Sequence, residues 1–242
     1  MIKYSLSQVI ELILDNNAKF VNREVLNLGA LTQEQIDLLN EYAKIEKNYR
    51  YALREMSARL ENLDDYCELT FKHNPIHHIE SRIKTPSNIL EKIKRRGGEY
   101  TIDDLKKYIY DIAGIRVICN YINDIYQILD LLIKQKNLEI LLTKDYITSP
   151  KDTGYRSVHI VFNMTMYLDN NEIKVPVEVQ FRTIAMDMWA SLEHELRYKS
   201  DNKLTEEQIS MLKKYSKDLY EMDLGMQSLY INQVLGSTDE DD

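Results

Sequence analysis

The chain has 242 residues, enough for one large domain or two small ones around a substantial core. Hydrophobic residues make up 44% and charged residues 29%, while only seven glycines and four prolines punctuate the chain, a balance that favours long helices and excludes a many-turned all-β fold. A formal net charge of −8 excludes a general nucleic-acid coat, and no apolar run is long enough to span a bilayer, so a soluble cytoplasmic protein with no membrane segment is expected.

Residues 1–74 read as a helical extension. "SQVIELIL" has an amphipathic stripe, and Thr32 with Gln35 forms the pattern of a capping box. In the run that follows, Ile36, Leu39, Ala43, Leu53, Met56, Leu60 and Leu63 recur at helical spacing with one longer gap. From about residue 76 the period changes to two: His78, Glu80, Arg82 and Lys84 alternate with Ile79 and Ile83, as in a strand with one polar face. "TPSNILEKIKRRGG" predicts a helix with Pro86 at its first position and a stop at Gly97-Gly98. A short capped helix over 101–109 precedes "DIAGIRVICN", a strand introduced by Asp111. Residues 122–136 predict a helix and "LEILLTKDYI" another strand. Two alternating runs, 157–168 and 172–182, pair as a hairpin through "DNNE". A helix follows over about 183–199, in which Ile184, Met188, Leu192 and Leu196 repeat every four residues and predict core contact around Trp189, with His194 alongside. Thr205 with Gln208 caps a last helix within 201–235, striped by Ile209, Leu212, Leu219, Met222 and Met226, and residues 236–242 read as a disordered acidic tail. The fold class expected is α+β: a mixed sheet of about five strands in residues 75–200, flanked by N- and C-terminal helices.

Between Arg82 and Arg96 there are six basic residues against one acid, Glu91. So compact a basic patch on an acidic chain suits a small polyanion. Arg82 and Lys84 share a strand face, and Asn88, Lys92 and Arg95 share a helix face, so four cations converge if strand and helix pack together. Lysine and arginine at that density bind phosphate oxygens; the plain alternative is a solvated helix face. Asp111 and Glu178 lie at strand positions bordering the patch. They are candidates to hold Mg²⁺, which takes one or two carboxylates plus substrate phosphates, or to act as general base. A cross-strand ion pair with Arg82 or Arg116 would explain them equally well. In "KDTGYRSVH", Gly154 frees a tight turn, Tyr155 offers a ring on which a base can stack, and Lys151 and His159 flank it as donors. With seventeen tyrosines in the chain, an incidental surface tyrosine remains the alternative. Cys67 and Cys119 form no CxxC pair and read as structural thiols. No HExxH and no Walker-type GxxxxGK[ST] occurs, so a nucleotide site here is not a P-loop.

The segments "SRIKTPSNILEKIKRRG", "DIAGIRV", "GYRSVH" and "VEVQFRTIAMDMWASLEH", in that order, closely resemble the synthetase domain of the RelA/SpoT family, in the form of its small, stand-alone alarmone synthetases of the RelQ type. The resemblance covers residues 75–200. It implies a nucleotidyltransferase-like mixed sheet and transfer of the β,γ-pyrophosphate of ATP to the ribose 3′-OH of GDP or GTP, with GMP as a further acceptor. Carried over by motif, Arg82 and Arg116 bracket adenine while Lys84, Ser87, Lys92 and Arg95 hold the ATP phosphates. Asp111 and Glu178 hold Mg²⁺, and Glu178 also takes the 3′-OH proton, by way of a raised pKa or of a hydroxyl made acidic by metal and neighbouring cations. Tyr155 stacks on guanine, with Lys151, His159 and Gln180 around the acceptor and Lys144 toward its 5′-phosphates. The hydrolase and regulatory domains of long family members have no room in these residues, so alarmone hydrolysis is not expected. The resemblance further implies a ring-like homotetramer built through the terminal helices, using the stripes at 36–63 and 209–226. Some members bind alarmone or single-stranded RNA in a central cleft, a property the sequence does not transfer. His73, His77 and His78 read as surface or interface residues.

Two rival readings stand beside this one. The first is another transfer on the same scaffold, of a nucleotidyl group or to a different purine nucleotide. The second is a nucleotide- or RNA-binding regulator without turnover, against which the presence of both Asp111 and Glu178 counts.

Overall fold

The structure, a computed structural model, describes residues 31–168, 171–198 and 204–235. The amphipathic stretch at the N-terminus and the acidic tail lie outside them. The elements in chain order are α1 (Gln33–Thr70), β1 (Ile76–Ile83), α2 (Pro86–Arg95), α3 (Ile102–Tyr108), β2 (Ala113–Cys119), α4 (Ile122–Ile133), β3 (Leu138–Asp145), β4 (Val158–Leu168), β5 (Asn171–Thr183), α5 (Ile184–Tyr198) and α6 (Glu206–Tyr230), with a π-helical turn over Ile231–Leu235. The strands form one mixed sheet in the order β1-β2-β5-β4-β3, in which only β2 and β5 run parallel.

Local sequence accounts for where the helices begin and end. Thr32 and Gln35 form the expected capping box, and Thr205 with Gln208 forms another at α6. On α2, Thr85 caps the start and Pro86 needs no amide partner there. Its end is a Schellman turn. Gly98 N donates to Ile93 O at 3.1 Å and Gly97 N to Lys94 O at 3.0 Å, with Gly97 at φ +70°, a conformation that favours glycine.

Strand alternation sorts the sheet into two faces. Ile115 and Val117 of β2, Val177, Val179 and Phe181 of β5, and Ile160 and Phe162 of β4 point one way and are buried. Helix α1 lies across β1, β2 and β5, and α4 packs beside it on β2 and β5. The buried face of α1 is wider than the predicted stripe, adding Leu38, Tyr42, Tyr49, Ala52 and Cys67 to Leu39, Met56, Leu60 and Leu63. Each buried leucine or methionine among them contributes roughly 1.5–3 kcal/mol by leaving water. That stripe is therefore consumed within the chain. The opposite outcome holds on α5: Trp189 is buried and donates Nε1 to Leu212 O at 3.0 Å, while Ile184, Met188, Leu192 and Leu196 are exposed rather than in core. Periodicity reports an apolar face but not what covers it.

Candidate functional site

The other face of the sheet is polar. Register puts Glu80 (β1), Arg116 (β2), Gln180 (β5), His159 (β4) and Lys144 (β3) in one row across all the strands, and Arg82, Gly114 and Glu178 in the next. Arg82, Asp111, Gly114, Arg116, Glu178 and Gln180 line a cleft on this face. Gly114 leaves its floor open between Arg82 and Glu178, a role that its strand position does not announce in sequence.

Lys84 N donates to Ile112 O at 2.8 Å, which carries the β1–β2 pairing past the end of β1 and brings Lys84 beside Asp111. Lys84 Nζ donates to Asp111 Oδ2 at 3.0 Å, and Lys92 Nζ of α2 approaches Oδ1 at 2.8 Å. Asp111 is thus clamped between two ammonium groups, one at each carboxylate oxygen. Burial would raise the Asp111 carboxyl, but the two ammonium groups hold it below the usual range. Of the four cations expected to converge, Lys84 and Lys92 thus meet at Asp111 and Arg82 lines the cleft. Arg95 is exposed on the last turn of α2, and Ser87 sits within 3.0 Å of Thr85 Oγ1 near its start. Arg116 lies 3.4 Å from Glu80 and 3.9 Å from Asp187, and burial, then Arg182 and Arg82, lowers its pKa.

Glu178 belongs to a closed hydrogen-bonded circuit. His159 Nδ1 lies 3.2 Å from Glu178 Oε1, and Gln180 Nε2 donates to Oε2 at 2.6 Å. His159 Nε2 lies 2.7 Å from Tyr155 Oη, and Arg182 Nη2 donates both to that oxygen, at 2.8 Å, and to Gln180 Oε1, at 2.9 Å. With a neutral imidazole the donors order themselves: Arg182 to Tyr155, Tyr155 to Nε2, Nδ1–H to Glu178. Burial pushes the Glu178 carboxyl up, yet His159 and Gln180 hold it below its ordinary value. Arg182 is 5% exposed and is anchored by Asp187 Oδ1 at 2.7 Å. Neither was singled out in sequence. The only signal was that Arg182 shares a strand face with Glu178 and Gln180, whereas Asp187 sits on the following helix.

The Tyr155 ring has cationic neighbours. Lys151 Nζ is 4.4 Å from its centroid and 4.5 Å from that of Tyr146, and the Arg182 guanidinium is 5.3 Å away. Burial and then Lys144 lower the Lys151 pKa. Lys144 takes its place in the row on the edge strand β3. His194 is exposed on α5, and His77 and His78 are exposed on β1.

A mixed sheet with one apolar face, and on the other two carboxylates among convergent cations, defines an α+β protein equipped to handle phosphate. Residues 81–203 match the region found in RelA / SpoT proteins. The chain is 39% identical over 175 residues to the GTP pyrophosphokinase YwaC of Bacillus subtilis (strain 168), covering 72% of this chain and 83% of that protein. Among solved structures it is similar to small alarmone synthetase 1 of Bacillus subtilis bound to its product pppGpp, with a TM-score of 0.73 and 30% identity over 83% of this chain and 99% of the other. Small alarmone synthetase 2 of the same organism superposes with a TM-score of 0.70 and 35% identity, over 78% and 97% of the two chains. The chain belongs to the RelA/SpoT family.

Proposed function

We propose that this protein is a GTP pyrophosphokinase that moves the β,γ-pyrophosphate of ATP to the ribose 3′-OH of GDP or GTP, making ppGpp or pppGpp and releasing AMP, with GMP as a further acceptor. The observation that carries the reading is the gathering of Asp111, Glu178 and the cations of β1, α2 and β2 on one sheet face of a RelA/SpoT-family chain. Asp111 and Glu178 fit Mg²⁺: both carboxyls are held below their ordinary values and both line the same cleft. Bound there, the ion would supply charge neutralisation at the phosphate oxygens.

The remaining work falls to the chain. Arg82 and Arg116 bracket the adenine, and Lys84, Ser87, Lys92 and Arg95 hold the ATP phosphates, the lysines turning to them from Asp111. Tyr155 stacks on guanine once Lys151 leaves the ring for the acceptor's phosphates, with Gln180, His159 and Lys144 beside it. The 3′-oxygen attacks the β-phosphorus in line as the bridging bond to the α-phosphate breaks, so positioning and cation clamps carry the rate. Glu178 receives the hydroxyl proton. As its carboxyl sits low, the hydroxyl has to be made acidic by the charges around it.

The catalytic unit of this reading is residues 75–200, with additions at 1–74 and 201–235 and an acidic tail at 236–242. Assembly into a homotetramer through helices, in the cytoplasm, belongs to the same reading. Among the described residues no helix is long and apolar enough to cross a membrane.

The test is mass spectrometry after incubating the protein with Mg²⁺, ATP and, separately, GMP, GDP or GTP. A guanine nucleotide gaining a 3′-pyrophosphate, with AMP in equal amount, is the expected result. Release of inorganic pyrophosphate instead would mean nucleotidyl transfer, and no product from folded protein would leave a binding regulator.

A further inference from the structure

The loop between β3 and β4, residues 146–157, carries Lys151 and Tyr155, and its seat is α6. Ser216, almost fully buried on α6, donates its hydroxyl to Gly154 O. The fit is tight: Gly154 has φ +95°, and a Cβ there would lie 3.0 Å from Ser216 Cβ and 3.3 Å from Lys213 Cα. One turn further along α6, the Arg156 guanidinium lies 4.0 Å over the Tyr220 ring. Arg156 Nη1 also donates to Ile147 O at 2.7 Å, so the same side chain ties both ends of the loop together. Next on α6, Asp223 Oδ2 accepts from Thr183 Oγ1 at 2.6 Å at the end of β5, the strand that carries Glu178 and Gln180. Ser216, Tyr220 and Asp223 are spaced by four and three, and so form one helix face.

We infer that α6 is a wall of the acceptor site, and that Ser216 and Tyr220 are positioning residues that hold Lys151 and Tyr155 at the cleft. The inference rests on the reading above that this loop receives the guanine nucleotide. It adds a helix that begins at Glu206, beyond the residues matched to the family region, and so could not have been carried over by motif. The physical case is that a loop of twelve residues without secondary structure of its own must be fastened for its aromatic ring to meet a base at fixed geometry. A hydroxyl to a carbonyl and a cation over a ring do this at two points. The ATP side has separate supports, since Lys84 and Lys92 are set by β1 and α2 against Asp111. Loosening α6 should therefore weaken the acceptor and spare the donor.

The test is steady-state kinetics of the full chain, varying GDP at saturating ATP and then ATP at saturating GDP, for Tyr220→Leu, Tyr220→Phe, Ser216→Ala and Tyr155→Ala, with thermal midpoints for each. Tyr220→Leu should raise the KM for GDP about tenfold with the KM for ATP unchanged, and Tyr220→Phe, which keeps the ring under Arg156, should restore it. Ser216→Ala should shift the same constant by a smaller factor. An unchanged KM for GDP in Tyr220→Leu and Ser216→Ala, with Tyr155→Ala still raising it, would overturn the role of α6 and leave the acceptor loop standing. Equal rises in both KM values would also overturn it, reducing α6 to general support. If Tyr155→Ala does not raise the KM for GDP, the acceptor reading itself falls, and this inference with it.

Discussion

At the scale of single residues the site is organised by charge held in a partly buried place. Glu178 is kept ionised by His159 and Gln180, and those two are kept in place by Tyr155 and Arg182. Glu178→Gln removes the carboxylate proposed as proton acceptor while leaving a side chain of the same shape between the same neighbours. Turnover should fall by about 10²–10⁴-fold with the thermal midpoint little changed, as read by product formation and circular dichroism. Near-normal turnover would remove Glu178 from the chemistry. Sequence made Glu178, Gln180, Tyr155 and His159 visible as polar residues between apolar ones. The closed circuit was not visible, because the two bonds that join its halves, His159 to Glu178 and Arg182 to Tyr155, link residues 19 and 27 positions apart and are chosen by register and not by spacing along the chain.

At the scale of elements, one joint depends on pH. Asp124, in the first turn of α4, is 4% exposed and accepts from Tyr121 N at 3.0 Å. Burial pushes its carboxyl up to about 7, even against that amide, and burial also lowers His73, whose Nε2 lies 3.2 Å away. Just below about 7 the contact is therefore a hydrogen bond between neutral groups and not an ion pair. His73 in turn lies tilted against Tyr230, with ring centroids 4.6 Å apart, and Asn123 N donates to Gln227 Oε1 at 2.7 Å, so the joint fastens the end of α6 to α4. Asp64 and the buried thiols Cys67 and Cys119 are the titratable groups around it. Between the ordinary carboxyl value of 3.8 and about 7 the folded chain binds the proton that the unfolded chain has lost. The contribution of Asp124 is thus complete below 3.8 and is lost as pH rises through about 7. Asp124→Asn keeps the cap to Tyr121 and removes the ionisation, so it should raise stability at pH 8 by roughly 2 kcal/mol and change little at acid pH. Urea unfolding at the two pH values would read this, and an equal effect at both would mean that the carboxyl does not titrate on folding.

At the scale of the whole molecule, apolar surface is distributed in a way the stripes alone do not reveal. The α1 stripe is covered by the sheet, while Ile184, Met188, Leu192 and Leu196 on α5 remain 46–54% exposed. Met222, Met226 and Leu229 on α6, which packs against α5, are exposed as well. The exposed row on α5 is the surface that self-association would bury. Leu192→Glu places a charge in its middle, and light scattering should show a smaller particle than the wild type with the same far-UV spectrum. An unchanged mass would take α5 out of the proposed assembly.

The sequence by itself determined the elements, since caps, glycine stops and the change of period from helical to two are local and survive in any packing. It also determined the inventory of the site, because Arg82, Lys84, Asp111, Tyr155 and Glu178 stand where strand faces and turns expose polar groups. Only the tertiary structure decided which of those groups meet: that β2 lies parallel to β5 and brings Gly114 beside Glu178, that Lys84 and Lys92 close on Asp111, and that α6 seats the loop of Tyr155. Strand order and helix docking are settled by which apolar faces bury each other, and that competition among distant segments leaves no mark in the spacing of any one of them.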